Sequence, residues 1–199
     1  MLTHIRWVAA ATALTAAAIV LGACTGGAAE PQHAHQPQAG GGFAGITRAI
    51  AVLHPTAGHT AHGVVRFVEE QGKVRVQARI EGLAPHGTHG FHIHEYGDCS
   101  APDGTSAGGH YNPEGHPHAG PQAFPRHAGD LGNVVADEHG VATLELVLDN
   151  ITIAGAKNPI LGRGMIVHAQ ADDLKSQPTG AAGARIACGV IGIANPGER

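Results

Sequence analysis

From residue 44 onward, apolar and polar side chains alternate along the chain with a period of two. In Lys73–Ile80 (KVRVQARI), valine, alanine and isoleucine occupy one set of alternate positions, and charged or amide side chains occupy the other. Alternate side chains of a strand point to opposite faces, so this segment is expected to form a half-buried antiparallel strand. Gly63–Val68 precedes it across a glycine-containing turn, and the two segments together predict a β-hairpin.

Six further segments show strand character, and none of the domain carries a convincing helical period. The further strands are predicted at Ala44–Leu53, Gly90–His94, Asn133–Ala136, Val141–Leu148, Gly164–Ala169 and Arg185–Ile193. About eight strands without helices favour a β-sandwich or a β-barrel. Two long stretches, 95–132 and 170–184, are rich in glycine, proline, aspartate and histidine. Loops of that length in a compact domain usually serve a function.

The first 23 residues are typical of a leader rather than of a β domain. Arg6 is followed by an alanine-rich apolar stretch, as in a secretory signal peptide, and this stretch is too short for a comfortable membrane-spanning helix. It ends in Leu21-Gly22-Ala23-Cys24, which resembles the bacterial lipobox. Cys24 is therefore expected to carry a lipid that anchors the protein. A soluble secreted protein with an incidental cysteine is the alternative.

Residues 24–43 have no apolar period and are predicted to form a flexible tether. His33 and His35 lie in it, where a solvated segment is the simpler interpretation and metal gathering the alternative. The predicted organisation is a signal peptide with lipobox at 1–23, the lipidated cysteine and tether at 24–43, and one β domain at 44–199. Such a chain would be secreted across the cytoplasmic membrane and lipid-anchored at the cell envelope.

The composition suggests a metal site and allows a disulfide between two of the cysteines. The 199 residues include 16 histidines against 12 lysines and arginines together, and histidine is the commonest metal ligand. The net charge of −4, without a lysine- or arginine-rich run, gives no support to nucleic-acid binding. If Cys24 is lipidated, Cys99 and Cys188 remain as an even pair in an oxidising compartment, where a disulfide is favoured over free thiols.

Histidines concentrate in and around the first long stretch. His92 and His94 stand at i and i+2, which places both imidazoles on one face of a strand and within reach of one ion. Further candidates follow at His110, His118, His127, Asp130 and His168. Six histidines and one aspartate are too many for one four-coordinate ion, and they fit two ions that share a ligand.

Several separated motifs resemble those of the copper/zinc superoxide dismutase family. They are His92–Glu95, GGHYNP, RHAGDLGNV, IVHAQADDL and RIACGVIGIA, which occur in the family's order within about Ala44 to Asn195. The resemblance implies an eight-stranded antiparallel Greek-key sandwich or barrel with two long functional loops. It also implies an enzyme that disproportionates the superoxide anion to dioxygen and hydrogen peroxide, with one copper and one zinc per chain. A homodimer is left open.

The resemblance also assigns roles to individual residues. Copper would be held by His92, His94, His110 and His168, and zinc by His110, His118, His127 and Asp130. His110 would bridge the two ions and carry the proton of the reaction, while Arg185 would orient superoxide beside copper. Asp172 matches the carboxylate that hydrogen-bonds a copper ligand and a zinc ligand. Cys99 and Cys188 match the family's disulfide.

The sequence departs from the family mainly in the second long stretch. This stretch is shorter than in eukaryotic members, and Pro178 stands where a steering lysine is often found, with Lys175 as a candidate replacement. His116 is interpreted as a solvated loop residue. The main rival function is a non-catalytic copper-binding or copper-sequestering envelope lipoprotein. Arg185 and Asp172 weigh against it, because sequestration needs neither an anion-orienting arginine nor a tuned bridge.

Overall fold

The computed structural model describes Phe43 and residues 45–197. The described part contains eight strands, at Arg48–Pro55 (β1), His62–Glu70 (β2), Lys73–Glu81 (β3), Thr88–His94 (β4), Asp130–Val135 (β5), Ala142–Leu148 (β6), Gly164–His168 (β7) and Arg185–Ile193 (β8). One turn of 3-10 helix lies at Thr105–Ala107. The predicted signal peptide, Cys24, and the tether histidines His33 and His35 lie outside the described residues. Within the described part, no helix is long and apolar enough to cross a membrane.

The strands form one antiparallel sheet that nearly closes on itself. Its hydrogen-bonded order is β5-β4-β7-β8-β1-β2-β3-β6. The pairs β1–β8, β3–β6 and β4–β7 join strands that are distant in sequence, as Greek-key connections do. A bridge between Ala136 and Ala142 brings the two outer strands together. The prediction of an all-β, eight-stranded antiparallel fold is therefore confirmed.

Strand β4 differs from most of the others because both of its faces are buried. Phe91 and Ile93 belong to the apolar core of the barrel, and burying two side chains of this size contributes about 2 kcal/mol each. His92 and His94 occupy the alternate positions and therefore point to the opposite face. They are buried too, so the strand separates the apolar core from a cluster of histidines.

Two strands have bounds that differ from the sequence pattern by three residues or more. β1 begins at Arg48 rather than Ala44 and continues to Pro55. β5 begins at Asp130, three residues before the predicted Asn133, and Asp130 pairs with His92 across a bulge. The pattern failed there because the glycines around Asp130 suggest a loop, and Gly132 does adopt a left-handed conformation with φ of 79°. The early start of β5 brings Asp130 to the histidine cluster.

A disulfide joins the first long loop to the last strand. Cys99 and Cys188 are bonded, with their Cα atoms 5.8 Å apart. The loop from 95 to 129 carries Gly104, Gly108 and His110, so this bond ties a large irregular segment to β8 near Arg185. The pairing expected from the cysteine count is present.

Candidate metal centre

Four histidines from two strands and one loop meet on the outer face of β4. His92 and His94 lie on β4, His168 lies on the neighbouring β7, and His110 is bridged to His94 from the long loop. One nitrogen from each of the four lies within 4.8 Å of the others, and all four side chains are buried. The structure thus brings together every residue predicted for copper.

A second group shares His110 with the first. Its members are His110, His118, His127 and Asp130, whose candidate ligand atoms again lie within 4.8 Å of one another. Oδ1 of Asp130 lies 3.0 Å from Nδ1 of His110 and 2.9 Å from Nδ1 of His118. Nδ1 of His127 lies 3.2 Å from the same oxygen. Three nitrogens and one carboxylate oxygen match the donor set that zinc takes in four-coordinate sites.

Hydrogen bonds to backbone carbonyls fix which ring nitrogen of His94 and of His168 is left free. Nδ1 of His94 donates to the carbonyl of Gly108 at 3.0 Å, and Nδ1 of His168 donates to that of Gly183 at 3.1 Å. Each Nε2 therefore carries a lone pair, yet these two Nε2 atoms face each other at 3.3 Å. Two facing lone pairs in a buried site repel each other unless a cation lies between them.

Two more ring nitrogens of the first group lack a partner. Nδ1 of His92 and Nε2 of His110 are buried and make no hydrogen bond. Buried polar atoms are almost always paired, so the four free nitrogens fit a metal ion that prefers imidazole, as copper does. The residues present therefore fit both metals of the family.

Asp172 connects the two groups. Its Oδ2 accepts a hydrogen bond from Nε2 of His92 at 2.8 Å, and its Oδ1 accepts one from Nε2 of His118 at 2.9 Å. These bonds fix both ring orientations and direct the remaining nitrogens inward. Gly180 packs directly on this carboxylate, since a Cβ atom there would lie 1.8 Å from Oδ1 of Asp172.

The two groups differ in the proton affinity of their imidazoles. Burial lowers the pKa of His110 to about 4 and that of His168 to about 3. Burial also opposes a charge on His118, but hydrogen bonds with Asp130 and Asp172 raise its pKa to about 9. Although burial raises the pKa of Asp130, hydrogen bonds from three histidines hold it well below its usual range. The metal-free protein therefore keeps neutral rings in the first group and an imidazolium at His118.

Arg185 lies at the edge of the first group. Its guanidinium donates to the carbonyls of Gly104 and Gly108, and the Gly108 carbonyl also accepts the bond from His94. The hydroxyl of Thr56 donates to the carbonyl of Arg185 at 2.7 Å. The side chain is thus held in place by the loop that carries His110, with the partial exposure that an anion-orienting cation needs.

Sequence reasoning missed two amide side chains that hold the site loops. Asn133 pairs with both the N–H and the C=O of Asp172, at 2.7 and 2.9 Å. Asn112 does the same for His116, with both distances 2.9 Å. His116 is therefore not simply solvated, and its ring also donates to the carbonyl of Arg126 at 3.1 Å. Only the position of Asn112 and Asn133 inside the recognised motifs could have drawn attention to them.

The barrel carries two buried groups of candidate metal ligands, which share His110. The family model for copper/zinc superoxide dismutase (SODC) matches residues 61–191. The chain belongs to the copper/zinc superoxide dismutase family. It is an enzyme that disproportionates superoxide to dioxygen and hydrogen peroxide, with copper and zinc as its cofactors. The predicted family, reaction and metals are confirmed.

Relatives from a virus and from a nematode are similar over most of the chain. The copper/zinc superoxide dismutase of Paramecium bursaria Chlorella virus 1 is 48% identical over 153 residues, covering 73% of this chain and 78% of the relative. The extracellular copper/zinc superoxide dismutase of Onchocerca volvulus is 43% identical over 162 residues, covering 75% and 78%. Among solved structures, the clock protein EA4 is 45% identical with a TM-score of 0.70, covering 78% of this chain and 99% of that one.

Proposed function

We propose that His92, His94, His110 and His168 hold copper, and that His110, His118, His127 and Asp130 hold zinc. The observation that carries this assignment is the direction of the ring nitrogens. In the first group, outer hydrogen bonds occupy one nitrogen of three rings and leave the inward nitrogens free. In the second group, the inward nitrogens converge on one oxygen of Asp130.

Within this assignment, copper supplies the one-electron redox chemistry and zinc supplies fixed charge. His110 is the proton carrier, because its Nδ1 is held on the Asp130 side while its Nε2 has no other partner. Nε2 would take up a proton and pass it to the second superoxide as peroxide forms. Arg185 would bind the anion through charge and directed N–H groups.

The decisive experiment measures superoxide consumption by the chain from Gly42 onward, with copper and zinc quantified in the same sample. We expect fast turnover at about one copper and one zinc per chain and its loss when copper is removed. Arg185→Ala should slow turnover about tenfold or more at unchanged metal content, because steering contributes factors of that order. The exposed Arg79→Ala is the matched control. Full copper loading with negligible turnover would instead support copper sequestration.

We also propose that the chain reaches the cell envelope as a lipoprotein. Residues 1–23 would be the signal peptide, Cys24 would carry the lipid, and residues 24–43 would tether the domain of 44–199. The pattern around Cys24 supports this, and two similar proteins are named extracellular. Mass spectrometry of the mature amino terminus tests it. An acylated Cys24 that is lost in Cys24→Ser, together with release of the protein from membranes, is the expected result.

We propose that the chain forms a homodimer, and the exposed apolar surface supports this. Val52, Val190 and Ile193 are exposed apolar residues on the adjoining strands β1 and β8. The same face continues through a depression lined by Phe43 and Leu161. A second copy of this face would cover it by two-fold symmetry, because such an interface is complementary to itself.

A further inference from the structure

A third amide side chain, Gln177, pairs with the backbone of a proposed zinc ligand. Its Oε1 accepts a hydrogen bond from the N–H of His118 at 2.8 Å, and its Nε2 donates to the carbonyl of His118, also at 2.8 Å. Nε2 also lies 3.2 Å from the carbonyl of Lys175. Both backbone groups of one residue are thus satisfied by a single side chain that is 59 positions away.

This pairing matters because His118 lies in a segment without regular secondary structure. Residues 116–119 form neither helix nor strand, so no ladder of backbone bonds fixes their position. The N–H and C=O of His118 would otherwise need another partner, since buried backbone groups are seldom left unpaired. Gln177 therefore pairs with both backbone groups of His118, as a neighbouring strand pairs with those of a residue in a sheet.

The ring of His118 is held by the same stretch of chain. Asp172 accepts from its Nε2 at 2.9 Å, and Asp172 and Gln177 both belong to the segment between β7 and β8. The backbone and the ring of His118 are thus both fixed by the segment between β7 and β8. Its Nδ1 is left directed at Asp130, 2.9 Å from Oδ1. Changing either support would allow the ring to rotate or the segment to shift.

We propose that Gln177 is a positioning residue for zinc, which holds Nδ1 of His118 in the direction of the ion. The inference rests on the proposed function, because it takes His118 as a zinc ligand. Gln177 would not touch the ion. It would act by keeping the segment of His118 docked on the segment that carries Asp172.

Two substitutions at Gln177 separate the contribution of the amide nitrogen from that of the whole side chain. Gln177→Ala removes both hydrogen bonds. Gln177→Glu keeps the length and one acceptor, but it replaces the donor to the His118 carbonyl with a second oxygen, so the two oxygens repel each other. Gln122→Ala is the matched control, because Gln122 is an exposed glutamine in the same loop as His118. All variants would be prepared as the full chain, loaded with copper and zinc.

The first readout is the rate at which zinc passes to a chromogenic chelator. We expect both Gln177 variants to release zinc about tenfold faster, because support outside the ligands is worth factors of 10 to 100 in metal affinity. Copper release should accelerate less than zinc release, and Gln122→Ala should match the parent. With cobalt(II) in place of zinc, the visible spectrum should shift in the Gln177 variants alone, because it reports ligand geometry.

Three outcomes would overturn the inference. Zinc release at the parent's rate from both Gln177 variants would show that the pairing does not position the ligand. Equal acceleration of copper and zinc release, with a lower melting temperature of the metal-free form, would show that Gln177 only supports the loop in general. A parent chain that retains no zinc would overturn the proposed function itself, and this result is distinguishable because it appears before any substitution is made.

Discussion

Gly180 shows at the residue scale how tightly the carboxylate of Asp172 is enclosed. Its φ is 65°, in the left-handed region, and an added Cβ would lie 1.8 Å from Oδ1 of Asp172 and 2.7 Å from Nε2 of His118. No side-chain movement relieves a contact of that length without breaking the hydrogen bond between these two groups. Glycine is therefore required here for space as well as for backbone conformation.

Gly180→Ala should weaken both metal sites. The backbone strain costs about 1 kcal/mol or more, and displacement of Asp172 would release the rings of His92 and His118. The measurement is metal retention per chain during dialysis against a chelator, together with urea unfolding. Gly72→Ala is the control, because Gly72 has φ of 74° but a Cβ there meets nothing within 4 Å. If both variants retain metal alike, the enclosure of Asp172 is not what holds the sites.

The metal-free protein should be most stable between about pH 6 and 7. The folded pKa values of His110 and His168 are lowered from 6.5 to about 4 and about 3, so the unfolded chain binds more protons below pH 6.5 and stability falls as the pH decreases. The folded pKa of His118 is raised to about 9, so its contribution is complete below pH 6.5 and disappears as the pH rises through 9. Urea unfolding of the metal-free chain across this range checks both slopes, and a flat profile would contradict them.

The proposed ligands and their partner Asp172 could be predicted from the sequence, whereas Gln177 and Gly180, which hold them in place, could not. His92 and His94 are recognisable because strand periodicity and a family motif coincide at the same positions. Gln177 and Gly180 give no such signal. Their roles depend on the approach of the segment between β7 and β8 to the loop of His118, which is a tertiary contact that local pattern does not specify.

At the scale of elements, the first long loop owes its position to a covalent bond and to Arg185. The disulfide between Cys99 and Cys188 spans 89 positions, and Arg185 on β8 donates to two carbonyls of the same loop. The loop contains little regular structure, so these two attachments add to its few backbone bonds with β4. Its order therefore depends on β8 as well as on β4.

Replacing both cysteines by serine should lower the free energy of unfolding by about 4 kcal/mol, since the bond closes a loop of about ninety residues. Turnover should fall as well, because a freed loop no longer holds the guanidinium of Arg185. Urea unfolding and superoxide consumption at equal metal content are the two measurements. Unchanged turnover in a chain of lower stability would show that the contacts of Arg185 hold the loop without the disulfide.

Strand prediction succeeded where one face is buried and failed where glycine interrupts the pattern. β3 and β8 were predicted within one residue of their bounds, because their alternating or continuous apolar positions extend to the turns. β5 was placed late because Gly129 and Gly132 flank its first residues. The order of the strands around the barrel could not be predicted from the alternation of apolar and polar residues, because pairs such as β1–β8 join opposite ends of the domain.

For the whole molecule, the exposed apolar face of β1 and β8 makes self-association testable. Val190→Glu should convert the proposed homodimer to a monomer, because it places two like charges across a two-fold axis. Val147→Glu is the control, since Val147 on β6 is 53% exposed and Val190 is 44% exposed. Sedimentation equilibrium distinguishes the states. A parent chain that is already monomeric at micromolar concentration would contradict the assembly.

His110 belongs to both ligand groups and Asp172 hydrogen-bonds one member of each, and this has a thermodynamic consequence for metal loading. An ion that fixes His118 also fixes Asp172, which in turn orders His92 for the other ion. By linkage, the factor by which zinc raises the affinity for copper must equal the factor by which copper raises the affinity for zinc. The two sites should therefore fill cooperatively. A population that is starved of metal would then consist mostly of empty and fully loaded chains, with few that hold a single ion.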